Sequence, residues 1–136
     1  MTQRTIDVAH VHEEETGMAH YLVQAAYTSE AWATLVGNPQ DRSEPVRNMV
    51  EDAGGLLESF YLAFGDFDVV AIVELPDDAT AAAVSIATSA AGAIRQIKTT
   101  PLITTEDAVS ALTKAKTIAY EPPAPDVALQ TPMHAG

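Results

Sequence analysis

LLESFYLAFGDFDVVAIVEL, from Leu56 to Leu75, holds two apolar runs on either side of Gly65-Asp66. The first, Leu56 to Phe64, alternates Leu56, Glu58, Phe60, Leu62 and Phe64 with Leu57, Ser59, Tyr61 and Ala63, the period-two pattern of a strand. Both of its faces are partly apolar, which predicts helices on one side and a further partner, such as another subunit, on the other. The second run, Asp68 to Leu75, is continuous and β-branched, and Pro76 ends it. A short turn at Gly65-Asp66 joins the two as a hairpin, with Gly65 supplying positive φ and an Asp side chain capping backbone amides.

Outward from this hairpin the same logic gives a helix and a strand on each side. YLVQAAYT, from Tyr21 to Thr28, reads as the first strand, and Thr28 and Ser29 offer N-cap oxygens to a helix carrying Trp32, Leu35 and Val36. Gly37-Asn38-Pro39 breaks that helix. It resumes after Ser43 with Pro45 in its first turn and a stripe of Val46, Met49, Val50 and Ala53, and Gly54-Gly55 stops it. After the hairpin, Asp77 and Asp78 cap a helix from about Ala79 to Ala91, whose small residues Ala83, Ile86, Ala87 and Ala90 suit close packing on a sheet, with Gly92 as its C′ residue. Ile94 to Thr100 reads as a fourth strand, with Ile94, Gln96, Lys98 and Thr100 on one side. Pro101 closes or edges it. Thr104 to Asp107 opens a capped terminal helix with Ala108, Val109 and Leu112.

The order strand, helix, strand, strand, helix, strand predicts an α+β, ferredoxin-like βαββαβ sandwich. Its antiparallel sheet is covered by helices on one face, with an additional C-terminal helix. The uncovered face carries apolar side chains, so oligomerisation through the sheet, as a dimer or trimer, is the expected way to remove them from water. The domain is placed at residues 18–118. A polar, acidic arm occupies 1–17, and a Pro-rich tail built around Glu121 to Pro125 occupies 119–136. In the arm, Ile6, Val8 and Val11 alternate as in an edge strand.

Composition narrows the partners. The 136 residues hold 7 Lys+Arg against 19 Asp+Glu, a formal net charge of −12, which opposes binding along a nucleic-acid backbone or an anionic membrane surface. No cysteine is present, which excludes disulfides, thiolate metal sites and a cysteine nucleophile. The longest uncharged run, Ala79 to Ile94, is rich in Ala, Ser and Thr and falls short of the roughly 18 apolar residues of a membrane span. The first 17 residues carry no hydrophobic signal segment, so a cytoplasmic location is expected.

The chain also resembles the GYD domain family over roughly Ala19 to Lys116. The resemblance is carried by Tyr21 to Thr28, Gly54-Gly55, Glu58 to Tyr61, Gly65 to Val70, Glu74 to Asp77 and Gly92. Phe67 stands where the family's pattern has Tyr directly before Asp. The resemblance implies a ferredoxin-like fold and an oligomer of the dimeric α/β barrel type. It implies no established reaction.

Two functional readings follow. One is a small oligomeric ligand-binding or regulatory module. The other is a cofactor-independent enzyme acting on a small apolar or aromatic substrate between sheet and helices, with His20, Asp68 and Tyr61 as proton carriers. Tyr27, Trp32 and Phe64 are candidate substrate contacts beside Phe60 and Tyr61, and Arg95 or Lys98 would orient an anion. Otherwise Arg42, Arg47, Arg95 and Lys98, four of the seven basic residues, are expected to pair with surface acids. His10 and His12, followed by Glu13 to Glu15, have the donors of a divalent metal site but read more simply as a solvated segment, so no metal and no cofactor is assigned. No Gly-rich phosphate loop, GxSxG elbow or HExxH motif occurs.

Overall fold

The computed structural model describes residues 17–125. His10, His12 and the alternating Ile6, Val8 and Val11 lie outside the described residues. The chain divides into two compact units, through Ile103 and from Thr104 onward.

The first unit contains β1 (Ala19–Tyr27), α1 (Ser29–Gly37), α2 (Ser43–Asp52), β2 (Leu56–Leu62), β3 (Val69–Leu75), α3 (Asp78–Ala90) and β4 (Ile94–Leu102). Its four strands form one sheet in the order β2-β3-β1-β4 with every neighbouring pair antiparallel, an α+β arrangement consistent with the ferredoxin-like fold. Local chemistry sets the helix limits. Thr28 accepts at Oγ1 from the Ala31 N–H (3.1 Å) to start α1, and Asp77 accepts from the Thr80 N–H (2.8 Å) to start α3. Asp41 accepts from both the N–H and the hydroxyl of Ser43 (2.9 and 2.7 Å) at the start of α2, holding its carboxyl below the usual range. At the other end of α2, Gly54 takes φ +91°, while a Cβ on Gly55 would lie 2.1 Å from the Glu74 carbonyl oxygen. The first glycine is therefore needed for its φ and the second for close approach to β3.

The second unit contains α4 (Thr105–Ala115), capped by Thr104 Oγ1, which accepts from the Asp107 N–H (3.0 Å). Among the described residues no helix is long and apolar enough to cross a membrane.

The core of the first unit lies between the sheet and its helices. Tyr21, Val50, Leu57, Ala71, Val73, Leu75 and Ala81 form one buried cluster, and Ala25, Tyr27 and Val69, with Trp32 and Ile97 against them, form a second. Phe60 packs on both. Tyr21 is 1% exposed, and its hydroxyl donates to Asp78 Oδ1 (2.6 Å) at the head of α3.

Four expectations about which way side chains face, or about turn geometry, are corrected. A register shift between Leu57 and Ser59 breaks the simple alternation of β2. Leu57 and Phe60 therefore sit opposite Val73 and Ala71 on the helix-covered face, and Ser59 and Tyr61 opposite Ile72 and Val70 on the other. A second shift, between Ala26 and Tyr27, separates Ile94 from Gln96 and Lys98: Ile94 packs with Ile97 against the buried Ala25, Tyr27 and Val69. On α3 the sheet-facing residues are Ala81, Val84, Ser85 and Thr88, whereas Ile86 is 68% exposed and Ala83 and Ala90 are exposed. That helix is almost uniformly Ala, Ser and Thr, so composition gave little contrast between its faces. Finally, Gly65 does not take positive φ and a Cβ there meets open space, so the β2–β3 turn does not require glycine.

Candidate functional site

Between β1, β3 and β4 on one side and α2 and α3 on the other lies a cavity of about 280 Å³. Small residues create it. Ala25 and Ala71 on the central strands face Ala81 on α3, and residues that end at Cβ cannot fill the gap between sheet and helix. Val46, Met49, Val84 and Ile97 make the surrounding wall apolar. The hydroxyls in the wall have local partners: Ser85 and Thr99 bond each other (2.8 Å), and Thr88 donates to the Val84 carbonyl (2.7 Å).

Arg42 and Tyr27 are the two titratable side chains in this lining, and both also line an adjoining, more open cleft with Trp32, Leu35, Gln40, Asp41, Phe60 and Leu62. Arg42 is half-buried and donates from Nη1 to Gln40 Oε1 (3.1 Å). Burial pushes the Tyr27 phenol up from its ordinary value, while the Arg42 guanidinium pulls it back and Asp68 adds a smaller upward push. Trp32 stands edge-on to Tyr27, with ring centroids 5.2 Å apart and planes at 79°. The apolar cavity thus meets a polar end built by Arg42 and Tyr27.

The three residues named as proton carriers are not brought together. His20 lies on the sheet face away from the helices, where its Nε2 is 3.1 Å from Glu58 Oε2 and 3.6 Å from Glu74 Oε2. Asp68 lies beyond the opposite end of β1 and accepts at Oδ2 from the Tyr27 N–H (2.9 Å). Tyr61 is 68% exposed on the same face as His20. Of the named substrate contacts, Tyr27 lines the cavity and Trp32 the adjoining cleft, whereas Phe64 is 96% exposed and Arg95 and Lys98 are exposed, outside both linings.

The sequence points to Arg95 and Lys98 as the anion contacts, and Arg42, in the break between Pro39 and Ser43, carries no local signal that places it in the cavity lining. The stripe spacing of Met49 points to the core, and Met49 also lines the cavity. Glu58 and Glu74 were the acids interrupting apolar strands, and that interruption was the signal for their grouping with His20.

No curated protein and no solved structure matches the chain. The model of the GYD domain family matches residues 21–112, from the buried Tyr21 of β1 through β4 and into α4. Over that span lie β2, β3, β4, all but the first two residues of β1, the cavity lining and the Gly65-to-Asp68 turn, and by this match the chain belongs to the GYD domain family.

Proposed function

We propose that this domain binds a small, largely apolar molecule in the cavity between sheet and helices, with an anionic or hydrogen-bond-accepting end turned toward Arg42 and Tyr27. The carrying observation is the cavity's lining, apolar throughout except for hydroxyls with local partners and this single cation–phenol end. Such a lining favours binding over acid–base catalysis, because His20, Asp68 and Tyr61 stand outside it. Decanoate is a suitable probe. Trp32, the sole tryptophan, sits against Tyr27 and provides an intrinsic reporter. A saturable change in Trp32 fluorescence on adding decanoate, lost in Val84→Phe where a larger ring fills the cavity, is the expected result. Equal responses in the two proteins would reject the cavity as the binding place.

The domain is further proposed to self-associate through the sheet face away from α1, α2 and α3. There Leu22, Val70 and Ile72 lie half-buried beside exposed Tyr61 and Leu56. A second copy of the same face would remove these side chains from water.

A further inference from the structure

We propose that His20, Glu58 and Glu74 form a binding site for a divalent transition-metal ion such as Zn²⁺ or Mn²⁺, on the sheet face opposite the cavity. The three side chains come from three adjacent strands. His20 on β1 is the register partner of Glu74 on β3, and Glu58 on β2 reaches the same place from the far side of β3. One donor atom from each lies within 4.8 Å of the others. The Nε2–Oε2 separations of 3.1 and 3.6 Å lie close to the spacing of two ligand atoms on one metal ion. With ligand bonds of about 2.1 Å, neighbouring donors stand about 3.0 Å apart around an octahedral ion and about 3.4 Å apart around a tetrahedral one.

Two further observations support the site. Glu58 follows Leu56, the register partner of Glu74, on the same face of β2, so strand alternation sets it beside Glu74 and His20. The side chains are also partly sheltered, with relative exposures of 19% for His20, 35% for Glu58 and 15% for Glu74. Their conformational freedom is thus restricted before an ion arrives. One imidazole and two carboxylates suit Zn²⁺ or Mn²⁺ better than Ca²⁺, which prefers an all-oxygen shell, or Cu⁺, which prefers sulfur. The formal charge of −12 raises the local concentration of any cation.

The test uses the full chain stripped with a chelator and titrated with Zn²⁺ by calorimetry and with Mn²⁺ by electron paramagnetic resonance. The variants His20→Asn, Glu58→Gln and Glu74→Gln are compared with a His10→Ala/His12→Ala double variant that removes the competing N-terminal imidazoles. We expect one ion per chain and a rise in melting temperature with metal. Affinity should fall by at least about tenfold in each of the three single variants and stay unchanged in the double variant. Melting in chelator reports whether each variant is folded, and the two glutamine variants give independent readings if one is not. Absence of binding by the wild type, wild-type affinity in the folded Glu58→Gln or Glu74→Gln protein, or loss of binding only in the double variant would each overturn the site.

Discussion

Asp68 and Tyr27 hold each other's strands in place. The Asp68 carboxylate accepts from the Tyr27 N–H (2.9 Å), and the Asp68 N–H donates to the carbonyl of Ala25 (2.8 Å), two residues earlier on β1. The pair closes the β3 side of β1 just past the last register pair of those strands, Ala25 with Val69, where the Tyr27 N–H needs a partner from outside the ladder. Removing the carboxylate in Asp68→Ala is expected to destabilise the fold by about 1–3 kcal/mol. Asp68→Asn, which keeps an acceptor, should lose less. Urea unfolding of both variants checks this, and a melt of Asp68→Ala equal to wild type would show that the contact carries no stability.

The three glycines of the β2 region are expected to respond differently to alanine. Gly55→Ala places a Cβ against the Glu74 carbonyl and should cost on the order of 3 kcal/mol. Gly54→Ala, at φ +91°, should cost about 1 kcal/mol. Gly65→Ala should fall within about 0.5 kcal/mol of wild type. Any other order in thermal melting contradicts the backbone assignment.

Alkaline pH should weaken the fold through Tyr21. Its phenol is pushed up to about 12, first by burial, then by the hydrogen bond to Asp78, and last by the negative charges of Asp78 and Asp77. A raised folded-state pKa means that the contribution is complete below the unfolded value near 10. It is lost as pH rises through about 12, up to roughly 2 kcal/mol in all. Tyr21→Phe should remove most of that slope in stability measured between pH 9 and about 11.5. An unchanged slope would place the titration on another group.

Phe60 and Val70 separate folding from assembly. Phe60 packs on both buried clusters, so Phe60→Asp buries an unpartnered charge and should prevent folding. Val70 faces the side of the sheet away from α1, α2 and α3, opposite Tyr61, so if the proposed self-association holds, Val70→Asp should leave a folded chain of lower solution mass. Light scattering after size exclusion, read with circular dichroism, distinguishes the two. A Val70→Asp protein with the mass of the wild type would remove this face as the interface.

The strand and helix order was legible because each boundary has a chemical marker: the Thr28 and Asp77 caps, the Gly54-Gly55 stop, and Pro101 on the edge strand β4. What local pattern could not show were the two register shifts, since a bulge depends on how neighbouring strands pair. They moved Phe60 and Ile94 to faces that simple alternation denied them. The candidate site was less legible for a related reason. A cavity is defined by what is missing across a gap, and the small Ala25, Ala71 and Ala81 come from three separate elements. The grouping of His20 with Glu58 and Glu74 likewise depends on strand adjacency across positions far apart in the chain.

The most direct test of the binding account is a calorimetric comparison of decanoate with decanol in wild type and Arg42→Gln. If the apolar cavity holds the chain and Arg42 holds the head group, wild type binds the acid at least about tenfold more tightly than the alcohol, and Arg42→Gln removes that preference while still binding decanol. Equal preference in both proteins, or no binding of either molecule by wild type, would contradict it.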